Sequence, residues 1–264
     1  MSLAEHLYEL RYRLAVSFLA IGVGMLVVGL LLYQPVFDFL REPYCRTEVA
    51  GKQCELYVRD IFAQFSMRLR VAGIGGTVLA APVWLYQLGA FITPALHRKE
   101  KRYAAGFLAG STILFGLGVT FAYLTMDKGL EFLLQVGGDG LVTLPDITSY
   151  LSFVTLTMFA FGTAFLFPVV LVFLNLAGAL SARRMAGMWR AMLVGIAAMS
   201  AVLTPSTDPI TFLAMALPVM LLYVVCIGIA WLVDRVRRRR AADDPLAGLG
   251  DDEASYVDPR PSPL

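Results

Sequence analysis

The chain has 264 residues, 58% hydrophobic and 16% charged, with a formal net charge of +2 and a mean hydropathy of +0.69. That composition is too apolar for a soluble domain. An integral membrane protein is expected, with no nucleic acid among its partners, and its long apolar windows, rather than the alternation of barrel strands, place it in the all-α class.

The chain begins with AEHLYELRYRL, Ala4 to Leu14, where Glu5 and Glu9 stand beside Arg11 and Arg13. Leu14 to Tyr33 follows as the first span; no small-residue cleavage site comes after it, so it reads as a retained helix rather than a signal peptide. Gln34 to Gln64 forms a charged loop of mixed sign holding Cys45 and Cys54. Arg68 and Arg70 then precede the second span, Val71 to Ile92, and are expected to snorkel from an approach helix. The third and fourth spans run from Ala104 to Thr125 and from Phe153 to Leu174. Gly106 and Gly110 form a GxxxG in the third, for which packing inside the bundle is the favoured role. The fifth span, Ala191 to Leu203, has only thirteen residues, about 20 Å of helix against roughly 30 Å of hydrocarbon. Either the bilayer thins around it, or the helix starts earlier, near Met185, with Met188 and Trp189 at its interfacial end. TPSTDPIT, Thr204 to Thr211, turns directly into the sixth span, Phe212 to Val233. Pro82, Pro168 and Pro218 lie inside spans two, four and six, where each removes a backbone hydrogen bond and promotes a kink. The expected shape is a curved bundle with a short fifth helix and an open question over the length of the sixth. The membrane domain, 1–233, then gives way to a tail, 234–264, first basic (RVRRRR) and then acidic and expected to be disordered.

Basic residues mark alternate connections: Arg11 and Arg13 before span one, Arg98, Lys99, Lys101 and Arg102 between two and three, Arg183, Arg184 and Arg190 between four and five, and the arginine run after six. The positive-inside rule therefore puts both termini in the cytoplasm. It also leaves Cys45 and Cys54 outside, where they are placed to form a disulfide; two free thiols are the alternative. Neither CxxC nor CxxH spacing points to a metal site, and no cofactor is expected.

Catalytic signatures are missing: there are two histidines, His6 and His97, and no HExxH, GxSxG or phosphate-binding loop. Nor does any Asp, Glu, Lys or Arg stand at the middle of a span, as ion-coupled transporters usually require. Gln87, Asn175 and scattered Ser and Thr read as helix-to-helix hydrogen-bonding groups. Transport without catalysis is the expectation. A small-solute permease and a membrane scaffold are the alternatives, although a permease built from repeats would show matching halves.

Four separated motifs resemble one family, the TatC subunit of the twin-arginine protein translocase. HLYELRYRL (His6 to Leu14) resembles its amino-terminal cytoplasmic motif, and APVWLYQLGAFITPALHRKEKR (Ala81 to Arg102) its second helix and first cytoplasmic loop. DITSYLSF (Asp146 to Phe153) is similar to the entry to its fourth helix, and LTPSTDP (Leu203 to Pro209) to its last outer turn. The resemblance implies a signal-peptide receptor and core for export of folded proteins across the bacterial cytoplasmic membrane. It also implies drive from the proton-motive force, TatA- and TatB-type single-span partners, and a homo-oligomer within a larger complex in the lipid bilayer.

Carried over residue by residue, the resemblance makes Glu9 and Glu100 the carboxylates that bind the signal's paired arginines. It adds Arg11, Phe91 and Pro94 to the same surface, and gives Asp208 and Pro43 an outer-turn or partner contact. From the residues alone, the favoured reading of Glu9 is an i,i+4 partner for Arg13. The sequence departs from the family pattern at Leu166 and Val224, where acids are usual, and at Phe212, where an amide is common. Polar partner contacts at those positions are therefore not carried over, and docking is expected to lean on shape, Ser and Thr hydroxyls, or Asp208.

Overall fold

The structure is a computed structural model that describes residues 3–47, 58, 61–92, 101–135, 146–176, 178–204 and 208–242. Ten helices are described: α1 (Leu3–Leu31), α2 (Tyr33–Cys45), α3 (Ala63–Leu79), α4 (Ala81–Ile92), α5 (Lys101–Gln135), α6 (Ile147–Ala164), α7 (Leu166–Leu176), α8 (Ala182–Gly187), α9 (Trp189–Leu203) and α10 (Pro209–Ala242). Four stretches are long and apolar enough to cross a membrane: His6–Leu31, Gly106–Leu133, Ile147–Leu176 and Pro209–Arg239. The pair α3 and α4 makes a fifth, bent by 57°, and the apolar α9 is shorter than a span. Each of the six expected segments thus has a helical counterpart, and shortness is confined to α9, because α10 has 34 residues.

Proline explains two of the breaks. Pro82 has no N–H and its ring crowds the carbonyl four residues back, so the helix stops at Ala80 and restarts, with Val83 and Trp84 donating to the Ala80 carbonyl. The Trp84 indole caps the freed carbonyl of Thr77 at 3.1 Å, satisfying a group that hydrocarbon could not. Pro168 acts likewise beyond Phe165, where α6 passes into α7. Pro218 lies inside α10 without interrupting it. The arginine run expected in a tail is helical as far as Ala242, because Arg and Ala are strong helix formers continuing an established helix.

The middle of the bundle is α6, which packs on α3, α5 and α9; α1 lies outside against α3 and α4, and α10 closes the other side against α5, α7, α8 and α9. Leu151, Val154, Phe161 and Ala164 of α6 are fully buried, whereas α1 exposes most of its apolar surface, as a helix solvated by lipid would. Backbones touch at two crossings. A Cβ on Gly24 would lie 2.6 Å from the Gly76 oxygen, and one on Gly118 would lie 2.6 Å from that of Phe161, so only glycine permits these approaches. The GxxxG of α5 has no such role: a Cβ on Gly106 or Gly110 meets nothing. Both instead line an apolar cavity of about 310 Å³ between α5, α7 and α10.

One end of the bundle is covered by α2, a helix that the mixed charges of Gln34 to Gln64 conceal. Tyr150 donates to the Leu40 carbonyl at 2.7 Å, Tyr123 donates to Glu42 at 2.7 Å, and Phe39 stacks on Tyr123 at 4.1 Å. Arg46 donates to the same Glu42 carboxylate at 2.7 Å, and the Arg46 guanidinium, with the Tyr123 hydroxyl, holds Glu42 below the ordinary carboxylate range. Arg68 and Arg70 stay exposed and each also meets a residue of another helix on this side. The Arg68 guanidinium lies 4.9 Å from the Tyr33 ring centre, and Arg70 donates to Ser152.

Candidate functional site

At the opposite end, the first turns of α1 meet the last turns of α4. Positions 6, 9 and 13 fall on one face of α1 by the helical repeat, and 87 and 91 on one face of α4, so the two helices pair antiparallel through matching side chains. His6 stacks on Phe91 with ring centres 4.7 Å apart, and Arg13 reaches Gln87 Oε1 at 3.4 Å.

Between these two contacts lies Glu9. Its Oε1 accepts from Arg13 Nη2 at 2.5 Å and from Arg13 Nε at 3.0 Å, a pair whose side chains keep only 21% and 25% of their exposure. Oε2 has no partner among the described residues, so the carboxylate is half engaged. A guanidinium arriving from solution finds one free oxygen, and can fork onto both only if Arg13 lets go of Oε1. The i,i+4 pairing weighed from sequence is therefore realised in the resting chain, and Gln87 is the helix-to-helix partner its type suggested.

The remaining sequence candidates separate. Arg11 is exposed and lies about 200° round α1 from Glu9, at 100° per residue, so it does not join the Glu9 face. Glu100 and Pro94 lie outside the described residues, as does Cys54. Pro43 is buried within α2, so it helps to dock that helix rather than offering itself to a partner. Asp208 is 3% exposed and caps α10, its Oδ2 accepting from the Thr211 N–H at 2.6 Å; an expected surface contact is thus a helix cap. Cys45 is disulfide-bonded, and Cys226 is free and buried. At the departures, Leu166 packs with Ala81, Leu85 and Phe115, Val224 is 65% exposed on the outside of α10, and Phe212 is half-buried.

The family model described as Sec-independent protein translocase protein (TatC) matches residues 5–218, a stretch that includes Glu9, Arg13, Gln87 and Phe91. The chain belongs to the TatC family. It is 42% identical over 277 residues to a Sec-independent protein translocase protein TatC of Frankia casuarinae, covering 99% of this chain and 76% of that one. A TatC of Synechocystis sp. is 35% identical over 238 residues, covering 89% and 90% of the two chains. A crystal structure of the twin arginine translocase receptor TatC superposes with a TM-score of 0.69 at 34% identity, over 86% of this chain and 98% of that one.

Two contacts of this TatC-family chain were not anticipated as such: the His6 to Phe91 stack and the Arg13 to Gln87 link. The period-3.6 spacing of both sets of residues was the available signal, but it shows only that they share faces, not that the faces meet.

Proposed function

We propose that this TatC-family protein is the signal-binding core of a twin-arginine translocase, and that the α1–α4 corner is where the signal's arginine pair docks. The half-engaged Glu9 carboxylate carries this reading: it is partly desolvated, held between two helices, and retains one oxygen for a guanidinium. Glu100 is proposed as the second carboxylate, since HRKEKR begins five residues after α4 ends. Phe91 and Pro94 would then offer apolar surface to the signal's hydrophobic segment, with Arg11 at the margin.

An exposed ion pair contributes only about 0.2 to 1 kcal/mol, and charge-assisted bonds in a drier corner about 1.5 to 3. Two carboxylates therefore discriminate more than they hold, and apolar contact must supply much of the affinity. In the same reading the protein sits in a bacterial cytoplasmic membrane with both termini inside, acts with TatA- and TatB-type single-span proteins in a larger assembly, and uses the proton-motive force without catalysis of its own. The test deletes the gene and follows a folded fluorescent reporter behind a twin-arginine signal. Export should stop and should return when the gene is supplied in trans. Export unchanged in a host with no second copy contradicts the proposal.

A further inference from the structure

The structure holds a second concave site, away from the α1–α4 corner. We propose that the hollow between α8 and the last turns of α10 binds the phosphate headgroup of an anionic phospholipid. The hollow has a volume of about 850 Å³, and four arginines line it: Arg183 from α8 and Arg235, Arg238 and Arg239 from α10.

Its only lining carboxylate among the described residues is already committed to the fold. Asp234 Oδ2 accepts from the Ala182 N–H at 2.9 Å, and Oδ1 accepts from Asn175 Nδ2 at 3.1 Å. None of the four arginines has a carboxylate partner among the described residues; the ion pairs there join Glu9 to Arg13, Asp38 to Arg41 and Glu42 to Arg46. Their neighbour Arg237 points elsewhere and donates to the Leu176 carbonyl at 2.8 Å. So the hollow gathers selected members of the arginine run on one helix face, at i, i+3 and i+4, and opposes them with an arginine from another helix. Phosphate oxygens are the acceptors that such guanidinium forks fit.

The lining also grades along α10, which decides for a lipid over a free anion. Ile227 and Gly228 form an apolar floor, and a Cβ at Gly228 would meet nothing within 4 Å, so room for a chain is left there. Trp231 comes next, 56% exposed, with the Arg235 guanidinium 5.3 Å from its ring centre; an exposed indole beside a cation is the kind of residue that membrane interfaces favour. Arg238 and Arg239 follow about 15 Å beyond the floor, at 1.5 Å per residue. Apolar floor, interfacial indole and cationic rim repeat in order the acyl, glycerol and phosphate levels of a lipid. They do so on a helix whose spanning stretch ends at Arg239.

The test uses the full chain in nanodiscs of phosphatidylcholine with a minor fraction of phosphatidylglycerol, counting retained lipid by native mass spectrometry. Two double variants remove equal charge: Arg183→Gln with Arg238→Gln inside the hollow, and Arg184→Gln with Arg237→Gln outside it. Wild type and the outside pair should retain phosphatidylglycerol preferentially, and the inside pair should lose that preference by about tenfold, with melting temperature reporting that each variant is folded. A chain truncated after Ala242 should retain the lipid as well as the full chain. Equal loss in both pairs means diffuse attraction to the basic run and overturns the proposal. So does tight, Arg183-dependent binding of inorganic phosphate to the delipidated chain, which makes this a free-anion site. Lipid preference that emerges only after truncation also overturns it, because the acidic tail is then the occupant.

Discussion

If the Glu9 to Arg13 pair competes with an incoming guanidinium, then removing Arg13 should strengthen signal binding rather than weaken it. Both hydrogen bonds of the pair fall on Oε1, so a ligand arginine must settle for a single bond to Oε2 or displace Arg13. An i,i+4 pair on an open helix surface contributes about 0.3 to 0.5 kcal/mol, and charge-assisted bonds shielded from water reach about 1.5 to 3. With roughly a quarter of each side chain still exposed, the competition is set near 1 kcal/mol, or about fivefold in Kd. Arg13→Gln removes the charge while keeping a side chain able to reach Gln87. A fluorescent twin-arginine signal peptide titrated onto the solubilised variant should bind about fivefold tighter at low salt, with the gain shrinking as salt rises. Glu9→Gln should bind weaker than wild type. If Arg13→Gln weakens binding as much as Glu9→Gln does, Arg13 orients the carboxylate instead of competing for it, and the reasoning fails.

At the other end, Glu42 has a lowered pKa, so its contribution is present above the ordinary carboxylate value of 4.5 and is lost as pH falls through the lowered one. The melting-temperature advantage of wild type over Glu42→Gln should therefore hold near neutrality and vanish on acidification; an advantage independent of pH contradicts the Arg46 and Tyr123 anchoring of α2. Cys54 is proposed as the partner of Cys45, closing a loop that constrains the chain by something under the roughly 3 kcal/mol of a 15-residue closure. Non-reducing peptide mapping of protein from native membranes should recover the linked peptide, and two free thiols would refute the pairing. Helix α9 has 15 residues, about 22 Å of rise, and its start at Trp189 excludes a single unbroken helix from Met185. Cysteine scanning from Met185 to Thr211 should find a shielded stretch of about 15 residues, and one of 18 or more, as a full span demands, contradicts local thinning.

Hydropathy made the spans legible, because apolar windows are dictated by the solvent and not by tertiary partners. Pro82 and Pro168 foretold breaks, since a missing N–H acts locally; Pro218 did not give one, and nothing in the structure explains the difference. The α2 helix stayed hidden because its stability comes from Tyr123 and Tyr150, far away in sequence, whose hydroxyls find Glu42 and Leu40 only in the assembled bundle. The partners of Arg68 and Arg70 stayed hidden for the same reason: the Tyr33 ring and the Ser152 hydroxyl sit on α2 and α6. Asp208 read as a surface group because a carboxylate in an outer turn usually is one, and the cap it makes depends on α10 beginning at Pro209. At the candidate site the residue types and their faces were readable, and the family resemblance supplied the role. The closed state of the Glu9 to Arg13 pair is the reading that i,i+4 spacing alone favours.

The most direct measurement of the central claim is photo-crosslinking of a twin-arginine signal to the chain in membranes, with Glu9→Gln and Glu100→Gln introduced singly and together. Crosslinks from the signal's arginine region to the α1–α4 corner should weaken in each single variant and disappear in the double variant, with export of the folded reporter falling in parallel and protein abundance unchanged. Crosslinking and export at wild-type level in the double variant would show that these carboxylates are structural and that the signal docks elsewhere.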